Sequence, residues 1–307
     1  MSIPKGVVVI GQIGRDLVLR TDGPPSANEP TAVLRRDELL GGKGANQAVG
    51  LAQLGVPVAL IGVVGDDIAG EVVLRQARND GIDTRGVVRR GTTALLIDLV
   101  SPERMLIEDV PEGSLVQVAD LERAAPLFDD ADTVSIQLQQ PPATALAAAR
   151  RARERGQRVV ADGVPAKDVR TDLLASVDVL RADSTEAALI AGEEVGTLEQ
   201  AEALGRELLG RGPELVALAV PGVGDLVVWK NGSALFEFAD AEVVDPTGAG
   251  DAFVAGLIAA LRAGADPRRA GGLAAAAAGS TVQRLGGRPD LTALSGSPGG
   301  LLNQLDT

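Results

Sequence analysis

One segment late in the chain, Asp245-Pro246-Thr247-Gly248-Ala249-Gly250-Asp251-Ala252-Phe253, combines residue types that could do chemistry. Gly248 and Gly250 flank a small residue, so the backbone there can approach a ligand without a side chain in the way. Phe253, Val254, Leu257, Ile258 and Leu261 follow at helical spacing, and Gly264 stands where such a helix should stop. The free N–H groups of Gly248, Ala249 and Gly250 would then open a helix, where the dipole favours an anion. Asp251 sets a carboxylate beside that anion site. A first-turn aspartate is often only a dipole partner, worth about 0.3–1 kcal/mol. Phosphoryl transfer, however, requires this combination: amides for the charge on the transferring group and an acceptor for the hydroxyl proton.

Composition narrows the remaining chemistry. The chain has no His and no Cys, which removes Ser-His-Asp catalysis, histidine acid–base work, thiolate metal sites and disulfides. Carboxylates, Lys, Arg, backbone amides or a hard cation must suffice. A net charge of −13 without a basic run argues against a nucleic-acid partner. Met1-Ser2-Ile3-Pro4-Lys5 runs into a short strand without a signal-peptide pattern. No apolar run reaches the roughly 18–20 residues of a membrane span. A cytoplasmic protein without a membrane partner is expected.

The elements that must position these residues read as alternating strands and helices. Val7 to Ile10 is a short first strand. Gly41-Gly42-Lys43-Gly44 opens a helix in which Ala45, Ala48, Val49 and Ala52 recur at i, i+3, i+4, i+7. A strand at 58–64 and a helix at about 70–80 follow. Helices near 118–128, 142–155, 185–192 and 199–211 alternate with strands near 133–138, 158–161, 177–180 and 215–220. Asn231-Gly232 joins a hairpin of 226–229 and 234–238. Helices at about 250–263 and 267–283 and a last helical stretch after Pro289 complete the chain. This rhythm predicts a mostly parallel sheet covered on both faces, an α/β fold in a single domain spanning 1–307. Two β excursions, about 12–40 and 92–111, would form a small lid.

At this point the chain resembles the ribokinase (PfkB) family of carbohydrate kinases. Asp245 to Phe253 resembles the C-terminal signature of that family, and Gly41-Gly42-Lys43-Gly44-Ala45-Asn46-Gln47-Ala48 its N-terminal one. The resemblance implies a ribokinase-like three-layer α/β/α core with a small β lid, and ATP-dependent phosphorylation of a sugar hydroxyl. It makes Asp251 the general base and Gly248, Ala249 and Gly250 the anion hole. Gly42, Lys43 and Asn46 match positions that hold sugar hydroxyls, and Asp16 matches a sugar-binding carboxylate at the lid edge. Gln139 stands where related ribokinases place a ribose-contacting glutamate; glutamine bonds a hydroxyl without the full charge.

For the nucleotide, Asp183-Ser184-Thr185-Glu186 resembles an Asn-x-x-Glu motif whose glutamate acts on magnesium through water, with Asp183 replacing the usual Asn. Read by itself, the same segment is a helix-capping box. Val220-Pro221-Gly222-Val223-Gly224 resembles the loop over the ATP phosphates, with Asp225 about where a second glycine usually stands. Family members often bind a monovalent cation, potassium, beside the anion hole; Asp245, Thr247 and the Arg284-Leu285-Gly286-Gly287 loop match that region. Paired lids would offer a route to a homodimer.

Other classes fit less well. Gly42-Lys43 is followed by Gly44, not the Ser or Thr of a Walker loop. No G-x-G-x-x-G follows the first strand as in a dinucleotide site. A nucleoside kinase of the same family, or a catalytically silent sugar- or nucleotide-binding protein on this fold, remains as the alternative.

Overall fold

The structure is a computed structural model that describes residues 5–101, 104–238 and 243–294. Strand β1 (Gly6–Ile10) has four consecutive buried aliphatic residues after Gly6, as expected of a strand covered on both faces. The chain then leaves the core for β2 (Gly14–Thr21) and β3 (Val33–Gly41), an antiparallel pair. It returns through α1 (Lys43–Gln53), β4 (Val58–Val64), α2 (Ile68–Asn79) and β5 (Asp83–Arg89). A second excursion makes β6 (Ala94–Val100) and β7 (Met105–Asp109).

Next come α3 (Val118–Arg123), α4 (Ala125–Asp129), β8 (Ala131–Gln137), α5 (Pro142–Glu154) and β9 (Arg158–Asp162). They lead to α6 (Arg170–Leu174), β10 (Val179–Ala182), α7 (Ser184–Ala191), α8 (Leu198–Leu209) and β11 (Leu215–Val220). The chain continues through β12 (Gly224–Trp229), β13 (Gly232–Glu237), α9 (Ala249–Arg262) and α10 (Pro267–Thr281).

Nine strands form the main sheet in the order β13-β12-β11-β10-β9-β8-β1-β4-β5, parallel except for β12 and β13 at one edge. Alternation along β1 shows the two faces directly. Val8 and Ile10 join the core cluster of α3 to α8, whereas Val7 and Val9 join the cluster of α1, α2, α9 and α10. The result is the expected α/β/α arrangement. The two β excursions meet in a four-stranded sheet, β3-β2-β6-β7, with β2 and β6 parallel and the outer pairs antiparallel. Among the described residues no helix is long and apolar enough to cross a membrane.

The structure departs from the sequence reading at five places. The expected helix over 118–128 is two short helices, because Pro126 cannot continue the first one and Ala124 turns between them. Strand β5 and helix α6 were not expected; each has too few apolar residues to show a period. In the hairpin, Trp229 pairs with Gly232, so Lys230 and Asn231 make the turn and Gly232 already belongs to β13. After Pro289 a 3-10 turn at Thr292–Leu294 is described. The rest of that expected helix, like Met1 to Pro4, lies outside the described residues.

Candidate active site

Parallel strands gather their carboxyl ends on one edge, and ligands of open α/β sheets bind there. Here that edge collects Gln12 just past β1, Gln137 at the end of β8, Asp162 at the end of β9 and Arg181 near the end of β10, all buried. The N-termini of α1, α7 and α9 point toward the same edge and bring Lys43, Asn46, Glu186 and Asp251 into it.

Asp251 sits at the centre. Its Oδ2 accepts from Asn46 Nδ2 at 3.1 Å and its Oδ1 from Gln47 Nε2 at 3.4 Å. The same Gln47 amide donates to Asp162 Oδ2 at 3.0 Å, and Gln47 Oε1 accepts from Ser135 Oγ at 2.8 Å. Asp162 also accepts from Arg181 Nη1 at 3.2 Å. Lys43 Nζ donates to Glu186 Oε1 at 2.9 Å. Burial, and then the nearby Asp162 carboxylate, push Asp251 up to about 7, while Lys43, the Asn46 bond and Arg181 pull the other way. Burial works to lower Lys43, but Asp162, Glu186 and Asp251 outweigh it and hold the amine above its ordinary range.

Helix α9 begins as its glycines require. Gly248, the N-cap, has φ of 74°, the left-handed region, and a Cβ there would collide with the Gly287 carbonyl. At Gly250 the constraint is contact: a Cβ would lie 2.5 Å from Arg181 Nη2. The Arg181 guanidinium is therefore laid against the first turn of α9, beside the amides that side chains leave uncapped. A cavity of about 430 Å³ opens on that turn. Lys43, Arg181, Asp183, Asp225 and residues 248–251 form its polar end, and Phe236, Phe238, Val243, Ala275, Ala278 and Val282 its apolar end.

A second feature near Asp251 is a cluster of buried polar atoms without partners. Gln12 Nε2, Asp16 Oδ1, Asn46 Oδ1 and Gln137 Nε2 are buried and make no hydrogen bond. Each such atom costs about 1–3 kcal/mol unless a ligand or solvent satisfies it. They lie together: Gly42 packs on the Gln12 carbonyl, Gly11 on Gln137 Cβ, and Asn46 bonds Asp251. Burial, followed by the charge of Asp251, raises Asp16 to about 7.

The sequence-derived candidates fall out as follows. Asp16, Gly42, Lys43, Asn46, Gly248, Ala249, Gly250 and Asp251 come together. Asp183 and Glu186 form a capping box at the start of α7, and both still face the site: Asp183 lines the cavity and Glu186 pairs with Lys43. Gly222 is an exposed turn residue with φ of 69°, and Gly224 is buried against the Phe236 carbonyl, outside the cavity. Asp225 does line it, and burial, partly offset by Arg181, raises this carboxyl to about 6. Gln139 is exposed; the buried glutamine of that strand end is Gln137. Asp245 is fully buried: its Oδ2 accepts from the Gly286 amide at 2.7 Å and its Oδ1 from the Thr247 amide at 2.9 Å.

Sequence reasoning did not single out Gln12, Gln47, Gln137, Asp162 or Arg181. The last two carry a signal: a charge inside an otherwise apolar strand, Val-Val-Ala-Asp162 and Val-Leu-Arg181-Ala, is rarely buried without a partner.

The donor set suits magnesium bound mainly by phosphate and water. Among the described residues no group of three or more acidic side chains is placed to hold a metal ion directly. Glu186 is the carboxylate at hand, with Oε1 on Lys43 and Oε2 on the Asp183 amide.

Comparison with known proteins shows the family and the fold. The family model described as pfkB family carbohydrate kinase matches residues 4–294. An ATP-dependent ribose-1-phosphate kinase of Halopiger xanaduensis is 33% identical over 86% of this chain and 87% of its own. A ribokinase of Haemophilus influenzae is 28% identical over 84% and 85%. Among solved structures, Arabidopsis thaliana ribokinase complexed with ribose and ATP superposes with a TM-score of 0.80 at 25% identity, covering 98% of this chain and 99% of that one.

Proposed function

The chain belongs to the pfkB family of carbohydrate kinases, and from that premise we propose that Asp251 is the base for ATP-dependent phosphorylation of a sugar hydroxyl. One observation carries the reading: Asp251 lines the cavity at the start of α9 and also bonds Asn46 of the unpartnered polar cluster. A group that must touch both substrates belongs at that junction.

The sugar sits against the polar cluster. Two donors, Gln12 and Gln137, and two acceptors, Asp16 and Asn46, suit a polyhydroxy ring, since every hydroxyl both gives and accepts a hydrogen bond. Lys43 borders the cluster from the opening of α1. ATP lies along the cavity, its base toward Phe236, Ala275 and Ala278 and its phosphates toward Arg181 and the amides of 248–250. The hydroxyl oxygen bonds to the γ-phosphorus, the bridging oxygen leaves with ADP, and Asp251 takes the hydroxyl proton. The amides and Arg181 hold the charge on the phosphoryl group in transit. Magnesium, carried with the nucleotide and steadied by Glu186 through water, supplies further charge neutralisation. An Asp251 that titrates at about 7 is matched to proton transfer near neutral pH.

The relatives named above act on ribose and on ribose 1-phosphate, so a pentose unit is the substrate class we carry over. The four-stranded sheet serves as the lid, excluding water so that ATP is not hydrolysed instead. Exposed Val33, Leu34, Leu106 and Ile107 on its outer strands support pairing of two lids in a homodimer.

The test is ADP release from ATP and Mg²⁺ with ribose, deoxyribose, ribose 1-phosphate, fructose and a set of nucleosides. Turnover with a pentose is expected. Preference for a nucleoside would favour the nucleoside-kinase alternative, and ligand binding without any turnover would favour a silent binding protein.

A further inference from the structure

The four-stranded sheet touches the turn before α9 through Arg104 and Asp98. Arg104, just before β7, makes two bonds to Asp98 of β6, from Nε at 2.9 Å and from Nη2 at 2.8 Å. The same guanidinium donates to Thr247 Oγ1, and its Nε lies 3.6 Å from Asp245 Oδ1. Thr247 Oγ1 is also 3.3 Å from Asp98 Oδ2. Asp98 and Asp245 are buried, so the positive charge of Arg104 lies between two buried carboxylates.

These are the residues at which the family resemblance leads one to look for a monovalent cation, and they do not fit one. The Thr247 hydroxyl accepts from the Arg104 guanidinium and Asp245 Oδ1 lies beside it, so the place of a cation is already held. The Val282 carbonyl, at the C-cap of α10, accepts from Val244 and Asp245 at 2.8 and 3.1 Å and ties the turn to that helix. A second cation would have to enter beside a guanidinium.

We propose that Arg104 is a built-in cation: it places a positive charge between Asp98 and Asp245 and fixes the 245–247 turn, so this enzyme needs no potassium. Arg104 is a positioning residue. It touches neither substrate pocket wall named above, but the turn it clamps runs directly into Gly248 and sets where the α9 amides point. Since the clamp belongs to the smaller sheet, that sheet and the anion hole are joined by the same ion pair. The activity arm of the test rests on the kinase reading; the melting arm does not.

The full chain is assayed and melted in buffer whose only monovalent cation is tetramethylammonium, then with added K⁺ or Na⁺. For wild type, neither the melting temperature nor kcat is expected to respond to K⁺. Arg104→Met should lose about 10²-fold in kcat, the scale of a small misplacement of reacting groups. It should regain much of that loss with K⁺ or guanidinium, and K⁺ should raise its melting temperature by mass action. Arg104→Lys, which keeps the charge, should remain independent of K⁺. A wild type that is activated and stabilised by K⁺ overturns the proposal whatever becomes of the variants. So does an Arg104→Met protein that is indifferent to K⁺ in melting, even if no sugar has yet been found to turn over.

Discussion

Lys43 Nζ and Glu186 Oε1 are 2.9 Å apart although 143 positions separate them in sequence. The residue opening α1 is thus paired with the carboxylate in the first turn of α7, and this joins the proposed sugar and nucleotide sides. Asp162, Glu186 and Asp251 keep this lysine charged against the cost of burial. The site is a chain of charges, Glu186, Lys43, Asp251, Asp162 and Arg181, in which Gln47 bridges the two like-charged aspartates, and each link can be tested by removing one member.

Asp251→Ala should lower kcat by about 10²- to 10⁴-fold, the range for loss of a general base, while sugar and ATP still bind. In wild type the side chain must be ionised to accept a proton, so kcat/KM should rise with pH through about 7 and level off above it. A pH–rate profile and calorimetric titration of each substrate check both parts. Unchanged kcat in the variant would reassign the base.

Arg181→Leu leaves Asp162 buried without its cation and should cost about 3–5 kcal/mol of stability, read from urea melts. Adding Asp162→Asn should recover much of that stability. Turnover should stay low in the double variant, because the guanidinium against Gly250 is still missing. Recovery of turnover together with stability would make Arg181 structural only.

Asp16 keeps its proton up to about pH 7 in the folded chain, against 3.8 when exposed. Between these values the folded state binds the extra proton, so the contribution of this group to stability is complete below 3.8 and is lost as pH rises through about 7. Asp16→Asn should therefore melt above wild type at about pH 8, with the margin shrinking toward about pH 4. Sugar affinity should fall. A margin that does not vary with pH would contradict the buried charge.

Gln137→Leu should raise KM for the sugar by about tenfold, roughly one hydrogen bond, and leave KM for ATP alone. Gln139→Ala should change neither. The reverse pattern would return the hydroxyl contact to Gln139.

Much of this was legible in the chain because the informative signals are local. The apolar runs at 58–64 and 215–220 coincide with β4 and β11 residue for residue. The glycines around Lys43 and Asp251 announced helix starts whatever lay elsewhere. Strand β5, Asp83–Arg89, escaped because only Val87 and Val88 make an apolar run at this sheet edge. Arg181 and Asp162 escaped for a different reason: their meaning lies in a contact between neighbouring strands, β9 and β10, and no spacing in the chain encodes it. Gln139 drew attention over Gln137 because resemblance weighs positions, whereas burial follows where β8 ends.

The run of alanines in α10 has a use beyond helix propensity. Ala275, Ala278 and Gly279 fall on one face, three and four positions apart, and that face is a wall of the cavity at α9. With side chains this short, the width of the slot is set almost by backbone alone. A single bulky replacement, Ala278→Leu for instance, would narrow the proposed base slot, whereas only the methyls of Ala275 and Ala278 could be trimmed from this wall to admit an ATP analogue with an enlarged base. At this wall, substitution has far more room to narrow the slot than to widen it.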